Sequence, residues 1–172
     1  MEECLAIKPD LVFLWDEAWF AFARFSPTYR QRTAMRTANN LRKRLKSDAH
    51  KAAYAAQQET LAKATDADLL DTRLIAPPDA HVRVYATQST HKTLTSLRQG
   101  SMIHVNDQDF KGEVEQSFHE AYMTHTSTSP NYQIIASLDV GRRQVELEGF
   151  EFVQRQIEAA MSMRRAISSH PL

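Results

Sequence analysis

Residues 11–15 read LVFLW, a run of bulky apolar side chains closed by the acid Asp16. A run without polar alternation must lose water on both faces, as the strands of a covered parallel sheet do. It is far short of the ~20 apolar residues that cross a bilayer. The stretch is expected to be a fully buried strand with Asp16 at its carboxyl end. HVRVYA at 81–86, which alternates, and SMIHV at 101–105 are two further strand candidates. Helical patterns fill most of the rest. VEQSFHEAYM spaces Val114, Phe118, Ala121 and Tyr122 as a helix would, and QIIASLDVGRRQVEL and FEFVQRQIEAAMSMRRAI read as two helices separated near Gly149. APPD at 76–79 is a breaker, and in HTSTSPNY either Ser129 or Asn131 suits a helix N-cap. Strands alternating with helices indicate an α/β fold, helix-rich with about three strands. The length fits one domain, but so little sheet for so much helix fits part of one.

Lys plus Arg number 21, as do Asp plus Glu, so no net charge draws the chain to nucleic acid or membrane. A single cysteine, Cys4, excludes an internal disulfide framework and suits a reducing compartment. The N-terminus lacks the architecture of a signal peptide. A cytoplasmic globular protein is expected.

Residues 85–92 read YATQSTHK. A hydroxyl-rich loop after a strand ordinarily satisfies its own backbone, and a lysine in it is ordinarily solvated. The same residues suit an anion cradle, in which Thr87, Ser89, Thr90 and His91 are small donors able to surround a phosphate. A lysine within such a cradle can bond covalently, because a neutral amine attacks an aldehyde. Pyridoxal 5'-phosphate joins an aldehyde to a phosphate, and its sites pair the lysine with an acid facing the ring nitrogen. Asp16, at a strand end where open α/β sheets present ligand-facing residues, is the candidate acid; a plain helix N-cap is the alternative. Ala18 is small enough to let a ring lie flat, and Trp19 offers an indole N–H, although a tryptophan is most often core.

VYATQSTHKTL, SMIHV and EAYMTHTSTSPNYQIIASLDV together resemble the lysine-attachment region of the bacterial ornithine/lysine/arginine decarboxylases, and LVFLWDEAWFAF resembles the segment carrying their ring-facing aspartate. These are fold-type-I pyridoxal-phosphate enzymes, and the resemblance covers about residues 9–29 and 83–168. It implies that the chain is the C-terminal part of a cofactor-binding large domain of the transferase-like type. Lys92 would form the imine with the cofactor, Ser89 and His91 would hold its phosphate, and Asp16 would pair with its ring nitrogen. Ala18 would pack on the ring face, and Trp19 would contact the cofactor or the pocket wall. The HTSTSP loop resembles one that reaches the site across a dimer interface, which makes Ser127 a phosphate-contact candidate and a homodimer or higher oligomer the expected assembly.

The implied reaction is α-decarboxylation of lysine, arginine or ornithine to the amine and carbon dioxide. Transamination uses the same lysine and aspartate and is the alternative within the fold type. A non-catalytic fragment or interaction module is the alternative outside it, resting on residues 30–51, where eight basic residues face one acid. Residues 31–78 exceed the spacer expected in the family and read as a basic helical insertion with its basic face solvated. The family's upstream half of the large domain and its downstream small domain are not found in the sequence. No histidine spacing suits a metal: His50, His81, His119 and His170 read as surface residues, His104 as a satisfied core residue, and His125 as a member of the hydroxyl loop.

Overall fold

The computed structural model describes residues 1–170. Helix α1 (Glu2–Ile7) leads into β1 (Val12–Asp16), two short 3-10 turns (Ala21–Phe25 and Tyr29–Arg32), and helices α2 (Ala34–Leu45), α3 (Asp48–Leu61) and α4 (Asp66–Asp71). Strands β2 (Arg83–Ser89) and β3 (Ser101–Asp107) follow, then a π-helical turn at Phe110–Val114, helix α5 (Glu115–His125) and helix α6 (Tyr132–Ser168). The helix starts are fixed by local chemistry. Ser47 caps α3 and Asn131 caps α6 through side-chain oxygens, while Thr65 and Asp68 form a reciprocal capping box at α4.

The strands form one sheet in the order β1-β2-β3. Pro9 pairs with His81 and Glu17 with Thr87, so β1 and β2 advance together as a parallel pair. Gln108 bonds back to Val82 and Thr90 to Gly100, so β3 returns antiparallel. The mixed α/β, helix-rich, three-strand architecture read from the sequence is the one observed. The expected burial of β1 is not. Val12, Leu14 and Trp15 are 47%, 74% and 43% exposed, because β1 lies at the sheet edge with a neighbour on one side only.

The chain divides into two compact units. The first contains residues 1–15, 34–86 and 104–126. Its core joins Leu5, Ala34, Ala38, Leu41 and Leu45 to Ala76, Ala80, Val82, Val84 and Ala86. Helix α2 is therefore amphipathic: its Ala and Leu stripe faces this core while Lys43 and Arg44 remain exposed. His50 is buried, not on the surface, with Nε2 2.8 Å from the Ala76 carbonyl.

The same unit holds a charged network across β2 and β3. Asp107, whose side chain has no exposure, accepts from Arg83 Nε at 3.1 Å, from the Tyr85 hydroxyl at 2.7 Å and from the Asp109 N–H at 2.8 Å. Burial alone would raise the Asp107 pKa; the bonds from Tyr85, Asp109 and Arg83, with the Arg83 charge, outweigh it and hold the carboxyl below its ordinary value. Burial, then the bond to Asp107, pushes the Tyr85 phenol up to about 12. A depressed carboxyl contributes stability that is present above its unfolded pKa and lost as pH falls through the folded one. Acid should therefore weaken this unit below about pH 4. Asp107→Asn weakens the bonds from Arg83, which keeps Asp109 at 3.4 Å, and from Tyr85, and should cost about 1–3 kcal/mol and flatten the acid limb of the transition. Chemical denaturation between pH 3 and 7 measures both effects, and an unchanged midpoint at pH 7 would contradict them.

The second unit contains residues 16–33 and 87–103 and the chain from Ser127 onward. Its organiser is α6, one continuous helix of 37 residues where the sequence suggested two. Gly149 does not break it, since a mid-helix glycine costs only ~1 kcal/mol. It serves instead as a contact point: a Cβ placed there would sit 2.7 Å from Phe25 Cδ1. Phe20, Phe22 and Tyr29 form an edge-to-face cluster in the 3-10 turns of this unit.

Candidate active site

Two turns leave the carboxyl ends of the parallel strands β1 and β2, the side of an α/β sheet on which ligands bind. The first carries Asp16, Ala18 and Trp19; the second carries Ser89, His91 and Lys92. Backbone bonds sew them together. The Glu17 N–H donates to the Thr87 carbonyl at 2.9 Å, and the Ser89 N–H donates to the Ala18 carbonyl at 3.3 Å. Asp16 is the last residue of β1, as expected. Its Oδ1 accepts the Ala18 N–H at 2.9 Å, which fixes the carboxyl against its own turn. Lys92 is exposed, and its Nζ lies 5.1 Å from the centroid of the Trp19 ring, itself 66% exposed. That is cation–π distance. Trp19 thus lies exposed beside the lysine rather than in the core.

The second turn is shaped by Gly100, whose carbonyl accepts the Thr90 N–H at 3.2 Å and lies 3.0 Å from His91 Nδ1. A Cβ at residue 100 would fall 2.3 Å from Thr90 Oγ1 and 2.9 Å from Leu138 Cδ2, so only glycine lets β3 approach this closely. Ser89 and Thr90 are buried. Ser127 stands apart from this group: it is exposed, and its Oγ accepts the Ser129 N–H at 3.1 Å within its own loop. His125, also exposed, bonds the Ala121 carbonyl at the end of α5.

Sequence reasoning missed a buried pair between the two turns. Glu17 and Gln88 are 7% and 9% exposed, with Gln88 Nε2 donating to Glu17 Oε2 at 2.9 Å. Each adjoins a residue singled out from the sequence, but 71 positions separate them and no local pattern marks the pairing. Lys92 also lines an open hollow of about 560 Å³ with Phe22, Tyr29, Phe152 and Arg164.

The donor set suits an aldehyde-bearing phosphate. The amine of Lys92 has no carboxylate partner among the described residues. The buried Thr90 Oγ1 and Thr93 Oγ1 find no acceptor there either. An unsatisfied buried hydroxyl costs about 1–3 kcal/mol, a cost that an acceptor ligand would relieve.

Residues 67–171 match the major domain of the Orn/Lys/Arg decarboxylases. The chain is 33% identical over 159 residues to a lysine decarboxylase of Pseudomonas aeruginosa, covering 92% of this chain and 16% of that protein. It is 32% identical over 158 residues to the biodegradative arginine decarboxylase of Escherichia coli, covering 90% and 16%. With the lysine decarboxylase of Hafnia alvei it shares 45% identity over 86 residues, 49% of this chain and 11% of that one. The crystal structure of a Francisella novicida lysine decarboxylase superposes with a TM-score of 0.56 at 27% identity, over 89% of this chain and 16% of that one. The chain thus spans about a sixth or less of the length of these relatives. The family match extends over more than half of the chain and includes the turn that carries Lys92: the chain belongs to the Orn/Lys/Arg decarboxylase family.

Proposed function

We propose that this chain is the lysine-bearing part of the large domain of a pyridoxal-phosphate-dependent decarboxylase acting on a cationic amino acid: lysine, arginine or ornithine. The observation that carries the reading is the pairing of the Asp16 and Lys92 turns through the Glu17–Thr87 and Ser89–Ala18 backbone bonds. Lys92 Nζ would be the amine that holds the cofactor's aldehyde carbon and, when not so bonded, a group placed to carry protons. Asp16 holds a proton at the ring nitrogen, where its charge favours the cationic form. Ser89 and His91 donate to the phosphate, with Ser127 of a neighbouring subunit as a further contact in a homodimer or larger assembly. Ala18 would pack on the ring face, and Trp19 would contact the cofactor or the pocket wall beside the lysine. The bound cofactor supplies the electron sink for the pair left behind when the substrate carboxylate departs as carbon dioxide. Residues 31–78 are a subgroup insertion that carries no part of this chemistry.

The test is carbon dioxide release from lysine, arginine and ornithine by the intact enzyme containing this segment, with and without added pyridoxal phosphate. Cofactor-dependent turnover of one of them is expected; no turnover of any would overturn the reading. The 172-residue polypeptide alone should show none, because its Lys92 is open to water.

A further inference from the structure

Asp16 is an exposed residue whose carboxyl accepts the Ala18 N–H of its own turn. What sets its place relative to Lys92 lies underneath. Glu17 and Gln88 are buried between the two turns and bonded side chain to side chain at 2.9 Å, beside the Glu17–Thr87 and Ser89–Ala18 backbone bonds. A buried polar pair is a poor way to add stability, since apolar side chains of similar volume often serve as well or better. It is a good way to fix register. Side chains alternate faces along a strand, so a one-residue slip of β1 against β2 would turn Asp16 to the opposite face. The slip would also leave the Gln88 amide facing the wrong residue.

We infer that Glu17 and Gln88 are positioning residues that lock the Asp16 turn in register with the Lys92 turn. This rests on the reading that Lys92 binds the cofactor and Asp16 faces its ring nitrogen. Glu17 and Gln88 touch neither substrate nor cofactor; they act through Asp16.

The experiment places Glu17→Ala, Gln88→Ala and Glu17→Gln in the intact, cofactor-loaded enzyme, each with Asp16 present and with Asp16→Asn. With Asp16 present, the two alanine variants should lower kcat roughly 10–100-fold, the effect of a displacement of about an ångström, with KM moved far less. Glu17→Gln should retain most activity, since its amide oxygen accepts the same bond. In the Asp16→Asn background the same substitutions should change kcat by less than about 2-fold, because the residue through which they act is already disabled. The pH midpoint of the cofactor's visible absorbance, read without substrate, should move in the same direction in Glu17→Ala as in Asp16→Asn.

Wild-type kcat in both alanine variants would overturn the inference, as would equal losses in the two backgrounds, which mark a merely structural role. Should the alanine variants fail to fold, Gln88→Glu should lower kcat by opposing two carboxyls, and the exchange Glu17→Gln with Gln88→Glu should restore it; no restoration would overturn the inference. Borohydride trapping separates the two levels. If the wild-type enzyme carries no adduct on Lys92, the underlying reading fails; if the adduct is present and the positioning effects are absent, only this inference does.

Discussion

Lys92→Ala is expected to remove the borohydride-reducible cofactor adduct from the peptide that carries residue 92 and to lower turnover by on the order of 10^4-fold or more, as loss of a covalent catalyst does. Lys92 is the sole lysine in the Ser/Thr/His turn and is set against Trp19 at 5.1 Å. Alanine removes both the bond-forming amine and its contact with the indole, while the exposure of Lys92 means that little packing is lost. Stability should stay within ~0.5 kcal/mol of the parent. Mass spectrometry of the reduced, digested enzyme decides the matter: an adduct persisting on Lys111 would refute the assignment.

Asp16→Asn should cost roughly 10^3-fold in kcat, the scale of losing a preorganised charge at the reacting group. The substitution conserves shape. An asparagine oxygen can still accept the Ala18 N–H now bonded at 2.9 Å, so the turn should keep its form. The second oxygen becomes an NH₂, which donates to a ring nitrogen instead of favouring its protonation. Cofactor affinity should fall much less than turnover, because Lys92 and the phosphate donors are untouched. Paired measurements of cofactor dissociation and kcat test this, and near-wild-type turnover would remove Asp16 from the role.

Which features were legible follows from how far each one reaches along the chain. The apolar run ending at Asp16 and the hydroxyl-rich turn around Lys92 are local patterns, and they are found as strand β1 and as the turn that follows β2. The cap of α6 was legible as Ser129 or Asn131, and is Asn131: a side chain and a backbone amide three residues apart need no tertiary information. The exposure of β1 was not, since the composition of a strand says what it would bury but not which neighbours flank it. Gly149 read as a break because its reason for being glycine, the close approach of Phe25, lies 124 positions earlier. The burial of His50 depends on the Ala76 carbonyl, 26 residues on. Glu17 and Gln88, the buried hydrogen-bonded pair between the two turns, carry no mark in the sequence beyond adjacency to Asp16 and Ser89.

The Gly100 carbonyl has a consequence for how the site meets an anion. A carbonyl only accepts, so His91 Nδ1, 3.0 Å away, must carry hydrogen. In the neutral ring the other nitrogen, Nε2, is then a lone pair, which repels a phosphate oxygen instead of bonding it. For His91 to hold a phosphate dianion a proton has to lie between them, on Nε2 or on the phosphate. The proposed contact through this residue would thus couple cofactor binding to a proton, already carried by ring or phosphate or drawn from solvent, and a heat of binding that varies with the ionisation enthalpy of the buffer would reveal uptake.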